Sequence, residues 1–194
     1  MNDETKRTPR VIAVLGSPRR KGNCALVLAA ALDEIGRRGA AVETIHLSAH
    51  DIRCCAGHDD CAEREKCPIR DEAAELLERV FSADAVIFAS PVYADNVSGQ
   101  LKVFIDRGCH PYVRGSRLAA RAVGLITVAD SSGLQDALAA MRRALFYYQK
   151  GCDPVPTFEV SGYASNLGDA AKNELLLAQA HEMGRGIAQA LALD

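Results

Sequence analysis

Val11-Ile12-Ala13-Val14-Leu15-Gly16-Ser17-Pro18-Arg19-Arg20-Lys21-Gly22-Asn23-Cys24 is the stretch from which the rest of the chain can be read. Its first five residues are apolar and largely β-branched, the pattern of a short strand buried on both faces. Gly16, Ser17 and Pro18 break the run, Gly22 and Asn23 close a polar loop, and from Ala25 to Ile35 the residues are mostly apolar helix formers. Strand, tight loop and helix therefore follow one another. The first N–H groups of a helix lack intrahelical partners and sit at its positive end. A phosphate there would meet backbone donors, side-chain donors from Ser17 and Asn23, and the charge of Arg19. An ordinary turn with solvated Arg and Lys is the simpler alternative. The loop is neither G-x-x-x-x-G-K-[ST] nor G-x-G-x-x-G.

Outward from this unit, helical and extended patterns alternate. A helix is expected over 23–38 with Gly39 at its C-cap, and a half-exposed edge strand over 41–47, on which His46 reads as a surface residue. An irregular insertion over 48–70 follows. Then come a helix over 71–82, a buried strand from Asp84 ending at Pro91, a helix over 97–107, a strand over 121–128, a helix over 133–149, a strand over 155–160 and a helix over 169–192. Such alternation builds parallel βαβ units with right-handed crossovers. Five strands with one alternating edge fit a doubly wound α/β sheet of order 2-1-3-4-5, with the ligand outside the carboxyl ends of strands 1 and 3. Loops 16–24, 90–97 and 129–133 should converge there.

The chain has 194 residues, which suits one domain, and a formal net charge of −2. That balance argues against a nucleic-acid or polybasic membrane surface. No apolar run approaches the ~20 residues that span a bilayer. Residues 1–10 are polar, lack the apolar centre of a signal peptide and read as a loose tail ahead of a domain over 11–194; a cytoplasmic location is the expectation. Seven cysteines, four of them between Cys54 and Cys67, suggest metal or redox chemistry more than a disulfide framework. Cys109 and Cys152 stand alone and read as small buried residues.

The loop over 16–24 resembles the Gly-Ser-x-Arg-x-x-(Ser/Gly)-Asn-Thr loop of the flavodoxin-like NAD(P)H-dependent FMN reductases and iron–sulfur flavoproteins. Cys24 stands where Thr is usual, and a thiol is the weaker donor. Residues 90–107, with Ser90-Pro91-Val92-Tyr93, Asn96, Ser98, Leu101-Lys102 and Asp106-Arg107, are similar to the Ser-Pro-Val-Tyr loop and following helix of the same families. The resemblance implies a flavodoxin-like three-layer sandwich that binds FMN. Ser17, Arg19, Lys21, Gly22, Asn23 and Cys24 would hold the phosphate. Pro91, Val92, Tyr93 and Asn96 would hold the ring. Asp130 and Ser131 lie where these families close over the flavin, although loop 129–133 departs from their glycine-rich version. The chemistry of the second loop agrees: Pro91 stiffens it, Tyr93 offers an aromatic face and Asn96 an amide that donates and accepts. A plain turn with Asn96 or Ser98 as N-cap is the alternative.

Cys55-x2-His58-x2-Cys61-x5-Cys67 has the spacing of the compact iron–sulfur flavoprotein loop, with His58 at the second ligand position and Cys54 as a spare thiol. Three outcomes are open: a 4Fe–4S cluster, a Cys3His zinc site, or no metal at all. The expected function is an oxidoreductase that passes electrons from NAD(P)H through bound FMN to a small-molecule acceptor or a redox protein. No side chain is named as catalytic acid or base. The alternatives are an iron–sulfur flavoprotein electron carrier and a flavin-free anion-binding module. Family precedent implies a homodimer or homotetramer, for which the 110–117 loop is the contact the sequence offers.

Overall fold

A computed structural model describes residues 7–193. The larger part of the expected tail, residues 1–6, lies outside the described residues. Of its remainder, Arg7 pairs with Asp84 at 2.7 Å and the Pro9 carbonyl accepts the Ala41 N–H.

The expected order appears as a central sheet of β1 (Arg10–Leu15), β2 (Ala41–His46), β3 (Ala85–Tyr93), β5 (Ala122–Ala129) and β6 (Thr157–Tyr163). These strands are all parallel, in the spatial order β2-β1-β3-β5-β6. A two-residue strand, β4 (Asn96–Val97), lies off this path and pairs antiparallel with the end of β3. The three inner strands are nearly continuous buried apolar runs, whereas β2 and β6 carry exposed and half-exposed residues, as edges must. Helices α1 (Asn23–Arg37) and α6 (Glu174–Ala190) cover one face. The other face is covered by α2 (Ala73–Phe81), α3 (Gly99–Arg107) and α5 (Leu134–Tyr148), and a short α4 (Cys109–Val113) follows α3. Past the end of α1, Gly39 takes φ +94, the left-handed value a helix stop favours.

Pro91 does not end its strand. β1 stops with Leu15 opposite Ala89, so at Pro91 the strand has lost its neighbour on one side and needs no N–H there. β3 continues to Tyr93, turns through Ala94 and Asp95, both with positive φ (49 and 54), and returns as β4. That is the backbone of a two-residue hairpin turn. It runs through residues expected to form the loop before the next helix, and Val97, expected as the first residue of that helix, lies in β4. The last helix also starts later than expected, because the chain first makes a short 3-10 turn at Asp169–Lys172. His46 is half-buried at the end of β2, with an Nδ1 that finds no partner among the described residues.

Candidate functional site

The buried polar and charged residues among the described ones include Ser17, Ser90, Ser98, Thr127 and Arg107. The first four belong to the carboxyl ends of β1, β3 and β5 or to the loops beyond them, so polar atoms enter the core where the switch-point rule puts a ligand. Their bonds tie the first two loops together. The Gly16 N–H donates to the Ala89 carbonyl at 2.8 Å, and Ser98 Oγ donates to the Gly16 carbonyl at 2.6 Å. Ser98 Oγ also accepts the Leu101 N–H at 3.2 Å, which makes Ser98 the N-cap of α3. Ser90 Oγ accepts the Ser98 N–H at 2.9 Å. A Cβ on Gly16 would stand 2.8 Å from both Leu101 Cβ and Ser98 Oγ, closer than side chains tolerate.

Beyond Gly16, Ser17 Oγ accepts the Arg19 N–H and shapes the turn. Gly22 is buried, and a Cβ there would meet Arg19 at 2.9 Å. α1 then starts with no side-chain cap, which leaves the donors of its first turn without a side-chain acceptor. The side chain of Asn23 is not free. Its Nδ2 donates to the carbonyls of Ala164 (3.0 Å) and Asn166 (2.8 Å), and its Oδ1 accepts the N–H groups of Gly168 (3.0 Å) and Ala170 (3.3 Å). The amide read as a phosphate donor instead latches the loop after β6. Burial pushes the Cys24 thiol up to about 12, against weaker hydrogen bonding to the Val128 backbone, so it stays protonated at neutral pH.

A cleft of about 280 Å³ opens between these loops. Of the residues expected there, Ser17, Arg19, Gly22, Asn23, Cys24, Pro91, Val92, Tyr93 and Asp130 line it. Lys21, Asn96 and Ser131 do not. Lys21 and Ser131 are exposed. Asn96 Oδ1 accepts the N–H of Val97 at 2.8 Å, and the residue lines a separate groove of about 530 Å³ along α3 and α5. Val128, Ala129, Ala164 and Ser165 also line the cleft. The last two lie on a fourth loop, which the sequence reading missed because its link to the site runs through Asn23. The third loop is bound to the second by Ser132 Oγ, which donates to Asp95 Oδ1 at 2.6 Å, and a Cβ on Gly133, at φ +76, would stand 2.6 Å from Asp95 Cα. FMN fits this cleft: the open start of α1, Ser17 and Arg19 suit the phosphate, and the Pro91–Tyr93 wall suits an aromatic ring.

The cysteine segment packs on the other side of α3. The Arg107 guanidinium is buried, pairs with the buried Asp71 carboxylate through both nitrogens, donates to the Arg53 carbonyl at 2.9 Å and reaches Cys67 Sγ at 3.5 Å. Burial alone would raise the Asp71 carboxyl. The Arg107 guanidinium and the N–H groups of Arg53 and Ala73 outweigh it and hold the group below the usual carboxylate range. Cys54 and Cys55 are exposed and Cys61 and Cys67 half-buried; His58 is exposed. Among the described residues, no three of the Cys, His, Asp and Glu side chains stand close enough together to hold a metal ion. The Cys55–His58–Cys61–Cys67 set does not fit a cluster as it stands. Cys109 is half-buried and Cys152 exposed on the turn after α5, so neither is the buried residue expected.

The sequence model of a family described as NADPH-dependent FMN reductase matches residues 9–164. The chain belongs to that family. Among curated proteins, an iron–sulfur flavoprotein of Archaeoglobus fulgidus is 36% identical over 182 residues, covering 93% of this chain and 80% of the relative. An iron–sulfur flavoprotein of Methanocaldococcus jannaschii is 32% identical over 190 residues, covering 95% and 98%. The fold is shared with the NAD(P)H:quinone oxidoreductase of Methanothermobacter marburgensis, at TM-score 0.70 and 19% identity over 93% of this chain and 98% of the other. It is shared equally with an NADH:FMN oxidoreductase, at TM-score 0.67 and 20% identity over 96% and 91%. The protein is thus an oxidoreductase of an FMN-dependent family on a flavodoxin-like fold. Among the described residues no helix is long and apolar enough to cross a membrane.

Proposed function

We propose that the cleft binds FMN with its phosphate at the start of α1, and that the protein passes electrons from NAD(P)H through it to a small-molecule or protein acceptor. The observation that carries this reading is the cleft itself, where the uncapped start of α1, Arg19 and the Pro91–Tyr93 wall face one space. When bound, the flavin supplies the redox chemistry. The chain's part is to bind and orient. The first-turn amides, Ser17 and Arg19 hold the anion; the rigid β3 hairpin, anchored through Asp95, fixes the ring edge; Tyr93, 44% exposed, presents its face at the mouth. Hydride transfer through a flavin requires no side-chain acid or base, and none is assigned.

The test is titration of FMN into flavin-free protein, followed by NADPH under anaerobic conditions. Quenched flavin fluorescence, weakened by Arg19→Ala, and bleaching of the bound flavin by NADPH are expected. Protein that takes up no FMN would be a flavin-free anion binder and would end the proposal. A second reading, an iron–sulfur electron carrier, is favoured by the names of the relatives and by the cysteines gathered beside α3. Flavin that NADPH leaves oxidised in iron-containing protein would support it. A homodimer or homotetramer is in keeping with the exposed Phe146 and Tyr147 at the end of α5.

A further inference from the structure

The groove of about 530 Å³ between α3 and α5 shares no lining residue with the FMN cleft. Lys102, Ile105 and Asp106 of α3 line one side, and Cys109, which opens α4, continues their spacing of three, four and seven. From α5 come Ala140, Arg143, Ala144 and Tyr147, at the same intervals. That spacing puts each set on one helix face, and the short alanine side chains leave open the space that longer ones would fill. The charges in the groove do not balance. Lys102 Nζ donates to both Asp106 carboxylate oxygens, at 2.5 and 2.7 Å, and that pair cancels. Arg143 is exposed and meets no acceptor among the described residues. One turn further on, Tyr112 stacks on Tyr147 with ring centroids 3.9 Å apart, and the Arg117 guanidinium lies 4.4 Å from the Tyr112 ring centre. The Tyr147 ring is therefore held from behind before anything binds in front of it.

We propose that this groove is a second ligand site, for a flat aromatic acid of one or two rings whose rings lie against Tyr147 and Ile105 and whose carboxylate meets Arg143. The volume falls in the range of small-molecule sites, about 300–1,000 Å³. An apolar, aromatic wall beside a single uncompensated guanidinium favours a ligand that is apolar along its body and negative at one end. The Lys102–Asp106 pair is already satisfied and selects neither sign. Phe146, the more exposed neighbour of Tyr147, does not line the groove and stays available for contact between copies of the chain. Because the groove and the cleft have separate walls, the site does not depend on the flavin reading. Cys109, half-buried in the groove wall, reports on its occupancy.

The test is titration of 2-naphthoate into the full chain, with and without saturating FMN, read by naphthoate fluorescence and by the rate at which an alkylating reagent labels Cys109, mapped by mass. Saturable binding is expected in both states, with Cys109 shielded and Cys54 and Cys152 labelled at unchanged rates. Arg143→Gln should weaken naphthoate about tenfold. The uncharged 2-naphthalenemethanol, which keeps the rings, should bind wild-type and Arg143→Gln protein alike. Tyr147→Ala should weaken both probes and Tyr147→Phe neither, with unchanged circular dichroism showing that each variant is folded. Naphthoate that FMN displaces, or that binds without shielding Cys109, sits elsewhere and overturns the proposal. Equal naphthoate binding by wild-type and Arg143→Gln protein overturns it as well. So does the absence of saturable binding, and a Cys109 that resists alkylation from the start would then show the groove covered by a second copy of the chain.

Discussion

Beside the cleft proposed for FMN, Gly16, Ser90 and Ser98 bond to one another across two loops. In the 48–70 segment the chain is irregular, and much of its fixation comes from elsewhere, through the guanidinium that α3 sends into it. The first site is assembled by neutral hydrogen bonds among small residues. The second depends on a buried charge pair. Neutral networks lose stability in small steps, whereas one half of a buried ion pair left alone is strongly destabilising. The two sites should therefore respond differently to the same perturbations, although both pack on α3.

The largest effect is expected from Arg107→Met, which leaves Asp71 buried without its partner. Loss of about 3–5 kcal/mol is expected, with new proteolytic cuts confined to residues 48–70. Thermal melts together with mapped limited proteolysis check this; uniform loss of protection across the chain would erase the distinction between the regions. Gly16→Ala attacks the other side. Its methyl group must displace Ser98 Oγ or Leu101, an overpacking cost of about 1–3 kcal/mol, and FMN affinity should fall while the 48–70 segment keeps its protection. Ser98→Ala is milder, costing about 1 kcal/mol for the lost cap, again visible in FMN affinity.

Acid separates the two regions without mutation. Because the Asp71 carboxyl is held below its ordinary value, its contribution is fully present above the unfolded carboxylate value of about 3.9 and is lost as pH falls through the folded one. The cysteine segment should loosen only below about pH 4, as read by hydrogen exchange of its amides. The serine network has no titrating group. The smallest effect is chemical: Cys24, buried and protonated at neutral pH, should resist alkylation at pH 8 while exposed Cys54 and Cys152 react, which mass mapping would show.

The parts that could be read from the sequence are those encoded locally. Val11–Leu15 announces a buried strand, and Gly16 to Asn23 announces the anion loop, because a strand-to-helix turn carries its own residue types. The β3 hairpin was hidden since its turn, Ala94 and Asp95, holds positive φ without glycine. Asn23 was read as a phosphate donor because its partners lie 141 to 147 residues away. In the sequence Arg107 stands only as part of the motif on the helix after the Ser-Pro-Val-Tyr loop, since nothing local says that its head crosses to Asp71.

The latch at Asn23 has a consequence for how the protein is made. Its four hydrogen-bond partners are supplied by residues 164–170, so a chain emerging from the ribosome can form β1, its loop and the start of α1 long before that amide has anything to hold. Until then the anion loop is open to solvent on one side. The cleft proposed for FMN is closed on that side by some of the last elements to be translated.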